Sequence, residues 1–180
     1  MVWAEREWSA HTAAMTDRAI LTEVERAFFS AAPRGVLATI DPDGLPRLVP
    51  ICFVLGRDDP DGRSRLYTPL DEKPKRQADP RRLARVRDLL ERPSVSVLVD
   101  RWDDDWTRLA WLRCHGTADL LEPDAADVDD RAQRAGAVAA LREKHPQYAG
   151  HDLESRPMVR ILIIRVSSWG ALEADPPHRR

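Results

Sequence analysis

The sequence predicts an α+β domain, mainly β, in which six antiparallel strands curl into a small barrel with flanking helices. Three observations predict it. The 180 residues are 43% hydrophobic and 32% charged, the balance of one globular domain large enough to bury a core. Short apolar runs are separated by turn sequences such as Asp41-Pro-Asp-Gly44. The elements fall in the order helix, three strands, helix, two strands, helix, strand, which is a run of hairpins with helices at the margins. A sheet of that size loses its edges by closing on itself.

The first helix carries Ile20, Leu21, Val24, Ala27 and Phe28 at helical spacing. Its expected cap is Thr16-Asp17 and its expected end is Ala31. Gly35–Ile40 is a strand of small and β-branched residues. In Asp41-Pro-Asp-Gly44, proline presets the turn and glycine supplies positive φ. The second strand runs from Pro46 to about Leu55. Pro46 and Pro50 each delete a ladder donor, so the strand is expected to be irregular near Arg47–Pro50, through a simple bulge or to meet a ligand. Residues 57–63 form a polar hairpin connection, and strand three is Arg65–Thr68. The next helix spans Pro80 to Glu91, with Asp79 as cap and Pro80 at its first position. Ser94–Val99 alternates as strand four, and Leu109–Leu121 is strand five. Ala125–Lys144 is helical and Pro146 stops it. Arg156–Ser167 is the last strand. Residues 1–15 are expected to be a flexible extension, with Met15 an alternative start. Residues 16–172 form the domain and 173–180 a disordered tail.

One stretch concentrates charge. Seven basic residues lie between Lys73 and Arg87, against four acids between Asp71 and Asp88. A strand leads into a loop with Lys73, Lys75 and Arg76, then into a helix start with Arg81, Arg82, Arg85 and Arg87. Free N–H groups, the positive end of the helix dipole and cationic side chains together make an anion site. A solvated basic surface is the other reading of the same charges.

Composition excludes several classes. The 28 Lys and Arg against 30 Asp and Glu argue against a dedicated nucleic-acid binder. No apolar run approaches a membrane span. The N-terminal residues lack a signal peptide's apolar core, which predicts a cytoplasmic protein. Cys52 and Cys114 read as two buried thiols. Asp103-Asp-Asp105 lacks the alternating spacing of a calcium loop. Adjacent Cys114 and His115 point to opposite faces of a strand, so no metal site is expected. No catalytic residue is identified, and His115 qualifies by residue type alone.

The motifs Gly35-Val-Leu-Ala-Thr-Ile40, Pro42-Asp-Gly-x-Pro-Arg-x-Val-Pro50, the Lys73-Pro-Lys75 loop, Arg82-Leu-Ala-Arg-Val-Arg87, Val97-Leu-Val-Asp100 and Trp106-Thr-Arg-Leu-Ala-Trp-Leu-Arg113 resemble the pyridoxamine 5′-phosphate oxidase-like split β-barrel flavoproteins. Within them the pattern is similar to actinobacterial proteins classed as probable coenzyme F420-dependent enzymes. The resemblance covers about Glu25 to Trp169.

The resemblance implies a six-stranded FMN-binding split barrel and a homodimer with the cofactor at the interface. The ring-binding strand corresponds to Arg47, Leu48, Val49, Pro50 and Ile51. Thr68 corresponds to a small hydroxyl near the phosphate, and Arg85 to a contact with the cofactor's charged tail. Lys73, Lys75 and Arg82 extend the anion groove. Asp88 stands where many relatives have Asn, and an ionised Asp cannot donate a hydrogen bond. Trp106, Trp111 and Arg113 match a stretch that reaches the site from the partner subunit; core packing is the other reading of the tryptophans. The implied activity is hydride transfer from reduced F420 to an unsaturated small molecule. F420, with a phosphate and a glutamate tail, calls for several cations in a row. The alternatives are an FMN-binding oxidase or reductase, and a non-catalytic binder of F420, flavin or haem. Pyridoxamine phosphate oxidase activity itself is not implied, because the phosphate-binding region matches only in part. The sequence does not name the substrate.

Overall fold

Thr22 caps the first helix. In the computed structural model, which describes residues 19–70 and 79–173, its hydroxyl accepts from the Glu25 N–H, and the Glu25 carboxylate accepts from the Thr22 N–H at 2.9 Å. This reciprocal cap starts helix α1, Glu23–Ala31. The expected cap at Thr16-Asp17 lies outside the described residues, and so do the Lys73–Arg76 loop and residues 174–180. Ile20 and Leu21 therefore precede α1. The face turned to the core carries Phe29 and Glu25, while Val24 and Ala27 are exposed. Glu25 is stabilised there by Ser168, whose hydroxyl donates to it at 2.7 Å.

Seven strands follow among the described residues, one more than expected: β1 Gly35–Ile40, β2 Pro46–Ile51, β3 Val54–Leu55, β4 Arg65–Pro69, β5 Ser94–Arg101, β6 Ala110–Leu121 and β7 Met158–Gly170. All pairs are antiparallel, in the order β2-β1-β5-β6-β7-β4-β3. The extra strand arises because the expected Pro46–Leu55 strand breaks at Cys52-Phe53. Its first part pairs with β1 and its second with β4. One continuous segment thus lies on both ends of the ladder, so the sheet wraps into a half-barrel with a slit where the segment changes partner.

Alternation sets the interior. Leu37, Val95, Val97, Val99, Leu112, Cys114, Ile161 and Val166 point inward with Phe29 and Phe53, whose ring centroids are 4.8 Å apart. Burial, and then the Glu25 carboxylate, push the Cys114 thiol up to about 12, which leaves it an inert core residue. Cys52, expected to be buried, is half-exposed at the break. Helix α3, Val128–Lys144, covers a second cluster of Val54, Leu141, Tyr148 and Leu153. Arg160 on β7 ties it down through Asp130 at 2.5 Å, and also pairs with Asp119 of the neighbouring strand at 2.5 Å.

The segment after β4 departs from a single helix. Pro80–Arg82 is a 3-10 turn capped by Asp79, whose carboxylate accepts from the Arg81 N–H at 2.9 Å. Leu83 is then extended, at φ −61° and ψ 137°, and helix α2 runs Ala84–Glu91. The Leu83 carbonyl accepts from Val86 and Arg87, so the break is also the start of α2. It directs Val86, Asp88 and Leu89 into the barrel while Arg81 reaches Glu122. Among the described residues no helix is long and apolar enough to cross a membrane.

Candidate cofactor-binding site

β2 forms one wall of the slit. One of its backbone edges pairs with β1 through all six residues, with no shift of register. The expected irregularity at Arg47–Pro50 is therefore absent. A ladder that stays in register across two prolines must turn their donor-less nitrogens away from its partner. By the two-residue repeat, the N–H of Leu48 faces that outer edge as well. The outer edge of β2 has no strand partner among the described residues. It offers one backbone donor, at Leu48, flanked by Pro46 and Pro50. The Leu48 side chain is exposed, Val49 packs against the core and Ile51 is buried.

Asp88 locks α2 to this wall. It is 3% exposed and accepts from the Thr39 hydroxyl at 3.0 Å and from Arg47 Nε at 2.7 Å. The hydrogen bond from Arg47, and then the charge of Asp88, hold the Arg47 guanidinium above its ordinary range. Both neighbours of Asp88 are donors, so an ionised carboxylate, which only accepts, meets them here. By the same two-residue repeat the backbone groups of Arg47 face β1, opposite Thr39, and its side chain goes to the anchor.

Thr68 lies one residue past the last β3–β4 pair, Val54 with Tyr67, and is buried. The chain then enters residues 71–78, so Lys73 and Lys75 are outside the described residues. On the far side, Arg82 and Arg87 are exposed and make no ion pair among the described residues. Arg85, the second residue of α2, is half-buried and already engaged in an interaction of its own. Arg81 is bound to Glu122 at 2.5 Å, and that hydrogen bond raises its pKa. Of the basic segment, α2 is the part tied to β2, through Asp88 and Arg47.

The tryptophan stretch lies elsewhere in the chain. Trp111 and Arg113 point outward from β6 into a cleft of about 470 Å³. Register places Pro50, Val36, Leu98 and Arg113 in one row across β2, β1, β5 and β6. Three strand spacings separate β2 from β6, about 14 Å. Within one chain Trp111 and Arg113 therefore do not adjoin the slit. Trp106, on a 3-10 turn at Trp106–Arg108, is 71% exposed and does not line the cleft. Trp102 and Trp169 do line it, and the sequence reading missed both. Trp169 was hidden because the last strand runs three residues beyond Ser167, which pairs Trp169 with Trp111. Among the described residues no group of three His, Cys, Asp or Glu side chains is placed to hold a metal ion.

The profile of the pyridoxamine 5′-phosphate oxidase family matches residues 21–171, most of the chain. The chain belongs to the pyridoxamine 5′-phosphate oxidase family. Solved structures agree on the fold of this family member. A conserved hypothetical protein from Mycobacterium tuberculosis superposes with a TM-score of 0.56 at 22% identity, covering 84% of this chain and 86% of the other. A FAD-binding protein from Mesorhizobium loti gives 0.55 at 23%, covering 82% and 92%. The haem storage protein HutZ from Vibrio cholerae gives 0.53 at 17%, covering 81% and 93%. At these identities the likeness establishes the split barrel. No protein of curated function matches the chain in sequence.

Proposed function

We propose that this protein binds coenzyme F420 along the outer edge of β2 and uses its reduced form to reduce an unsaturated small molecule. The observation that carries the proposal is the outer edge of β2, which has no strand partner among the described residues and is tied to α2 through Asp88 and Arg47. A flat heteroaromatic ring with acceptor groups suits an edge that offers one N–H, at Leu48, between two prolines. The phosphate and glutamate tail suit a row of cations: Lys73 and Lys75, then Arg82 and Arg85. When bound, the cofactor supplies a hydride, and the protein supplies binding, orientation and exclusion of water.

A homodimer completes this reading. The outward faces of β2, β1 and β5 carry Leu48, Pro50, Val36 and Leu98, an apolar strip suited to a second copy. In such a dimer, Trp106, Trp111 and Arg113 of one protomer reach the slit of the other. Light scattering tests this part: a stable monomer with full cofactor affinity overturns it.

Parallel fluorescence titrations with F420, FMN and haem test the cofactor. F420 is expected to bind most tightly and to weaken as salt rises, since exposed charges are screened over roughly 10 Å at 0.1 M. Arg82→Ala and Arg85→Ala are expected to weaken F420 more than FMN, which has no glutamate tail. Tighter, salt-insensitive binding of FMN replaces this reading with the flavin one. Binding of haem alone replaces it with a non-catalytic role.

A further inference from the structure

We propose that Cys52 and Lys144 form a redox site, at which a hydroperoxide oxidises the thiol and the lysine amine then captures it in a sulfur–nitrogen bond. Cys52 lies at the break between β2 and β3 and is half-exposed, so a small oxidant reaches it. Gln147, on the turn after α3, donates to its sulfur at 3.8 Å. Lys144, in the last turn of α3, meets the same break. Its Nζ is buried, has no hydrogen-bond partner and stands 4.1 Å from the ring centroid of Phe53, the residue next to Cys52. Burial lowers its pKa to about 8, and Cys52 is near enough to oppose that shift. Above about pH 8 most of Lys144 is therefore free amine, the nucleophilic form.

Two features decide what becomes of an oxidised Cys52. The other cysteine, Cys114, is buried in the first core cluster, whereas Cys52 packs on the second, so no thiol is at hand to form a disulfide. A nitrogen nucleophile is the alternative partner of a sulfenic acid. The Lys144 ammonium is also costly where it lies, because a buried charge needs a partner, and bonding to sulfur leaves its nitrogen neutral. In the first step the Cys52 sulfur attacks one peroxide oxygen. An S–O bond forms, the O–O bond breaks, and the sulfur gives two electrons to the peroxide. The thiol proton leaves with the second oxygen, as water when the oxidant is hydrogen peroxide. In the second step Nζ attacks the sulfur. An S–N bond forms, the S–O bond breaks, and hydroxide departs as water with a proton from the nitrogen. No further oxidant is needed, and a thiol reductant restores both side chains. The bridge ties the end of the β2 wall to α3. No cofactor takes part, so the site stands apart from the F420 reading.

The test uses the full chain, reduced and without added cofactor, exposed to hydrogen peroxide. Its intact mass is expected to fall by two hydrogens, and dithiothreitol to restore it. Peptide mapping is expected to join the Cys52 peptide to that of Lys144. The chain's other lysines are Lys73 and Lys75, and a bridge to either overturns the proposal. Lys144→Arg keeps the positive charge but offers no free amine. It is expected to lose the bridge and to leave Cys52 as a sulfenic acid that dimedone traps. Cys52→Ser is expected to lose both the bridge and the labelling. A wild-type Cys52 that stays reduced, or that gains oxygen without bridging, overturns the proposal. So does equal dimedone labelling of wild type and Lys144→Arg. Should a variant fail to fold, mapping of the wild-type chain decides alone.

Discussion

Thr39→Val tests the anchor that joins α2 to the β2 wall. Thr39 is fully buried, Asp88 is 3% exposed, and the hydroxyl donates to the carboxylate at 3.0 Å. Valine keeps the shape of threonine, so the change removes the hydrogen bond and leaves no cavity. A hydrogen bond to a charged group contributes about 1.5–3 kcal/mol, and burial at both ends removes any discount for solvent. For a chain of this length, 1 kcal/mol moves Tm by about 2–4 °C, so a fall of roughly 3–12 °C is expected. Urea denaturation followed by circular dichroism and tryptophan fluorescence should show a lower midpoint at unchanged slope. Thr39→Ser is the control. It keeps the donor and loses one methyl, about 0.8 kcal/mol. Thr39→Val within about 0.5 kcal/mol of wild type, the usual range of neutral substitutions, refutes the reasoning. So does a Thr39→Ser variant that is the weaker of the two. Asp88→Ala releases both Thr39 and Arg47, and is expected to destabilise further and to lower cofactor affinity as β2 loosens.

Lys144 makes stability depend on pH. Its Nζ sits 4.1 Å from the Phe53 ring centroid without a hydrogen-bond partner, and burial lowers its pKa to about 8, partly opposed by Cys52. The unfolded lysine titrates near 10.4, so between about pH 8 and 10.4 the unfolded state binds more protons and stability rises with pH. The raised Cys114 thiol acts in the opposite sense above about pH 9, so the contribution of Lys144 is read as a difference: Tm scans from pH 7 to 10 should show wild type gaining on Lys144→Met as pH rises, and equal slopes count against it. Gly116 lies at the β6–β7 register shift, where an added Cβ would stand 2.5 Å from the Leu162 carbonyl oxygen and 2.6 Å from Ile161 Cγ2. Gly116→Ala is expected to cost about 1–3 kcal/mol or more in urea denaturation, and wild-type stability in that variant would show that the strands can part there.

Most of the strands were legible because period-two burial and turn chemistry leave a direct trace. Asp41-Pro-Asp-Gly44 turns as expected, with Gly44 at φ +83° and the Asp41 carboxylate accepting from Asp43 and Leu45. Two of the failures share a cause: a tertiary partner outranked a local preference. The break at Cys52-Phe53 needs two strand partners on opposite ends of the ladder, which no window of sequence reveals. The extended Leu83 interrupts a good helical run because Arg81 and Asp88 have distant partners to meet, Glu122 and Thr39. α1 starts at Thr22 because Glu25 returns to it, a capping box visible in Thr22-Glu-Val-Glu25 but passed over for an earlier Thr-Asp pair. At the site, the cationic stretch was legible as charge. The division of its arginines into free, engaged and ion-paired was not, since that depends on Glu122. The cleft was half legible, because Trp111 and Arg113 share a strand while Trp169 joins them only through pairing.

The ladder between β4 and β7 bears on how the chain is made. β4 ends at Pro69, and its long-range partner begins at Met158. Its contact with β3 spans only two residue pairs. During synthesis at about 5–20 residues per second, the intervening 90 or so residues take roughly 5–20 s to appear. For that interval Leu66 and Tyr67 belong to a strand whose second edge has nothing to join. Hairpins β1–β2 and β5–β6 can form as they emerge, but barrel closure waits for the last strand. This interval, more than the stability of the finished fold, is when another nascent copy can take the place of β7.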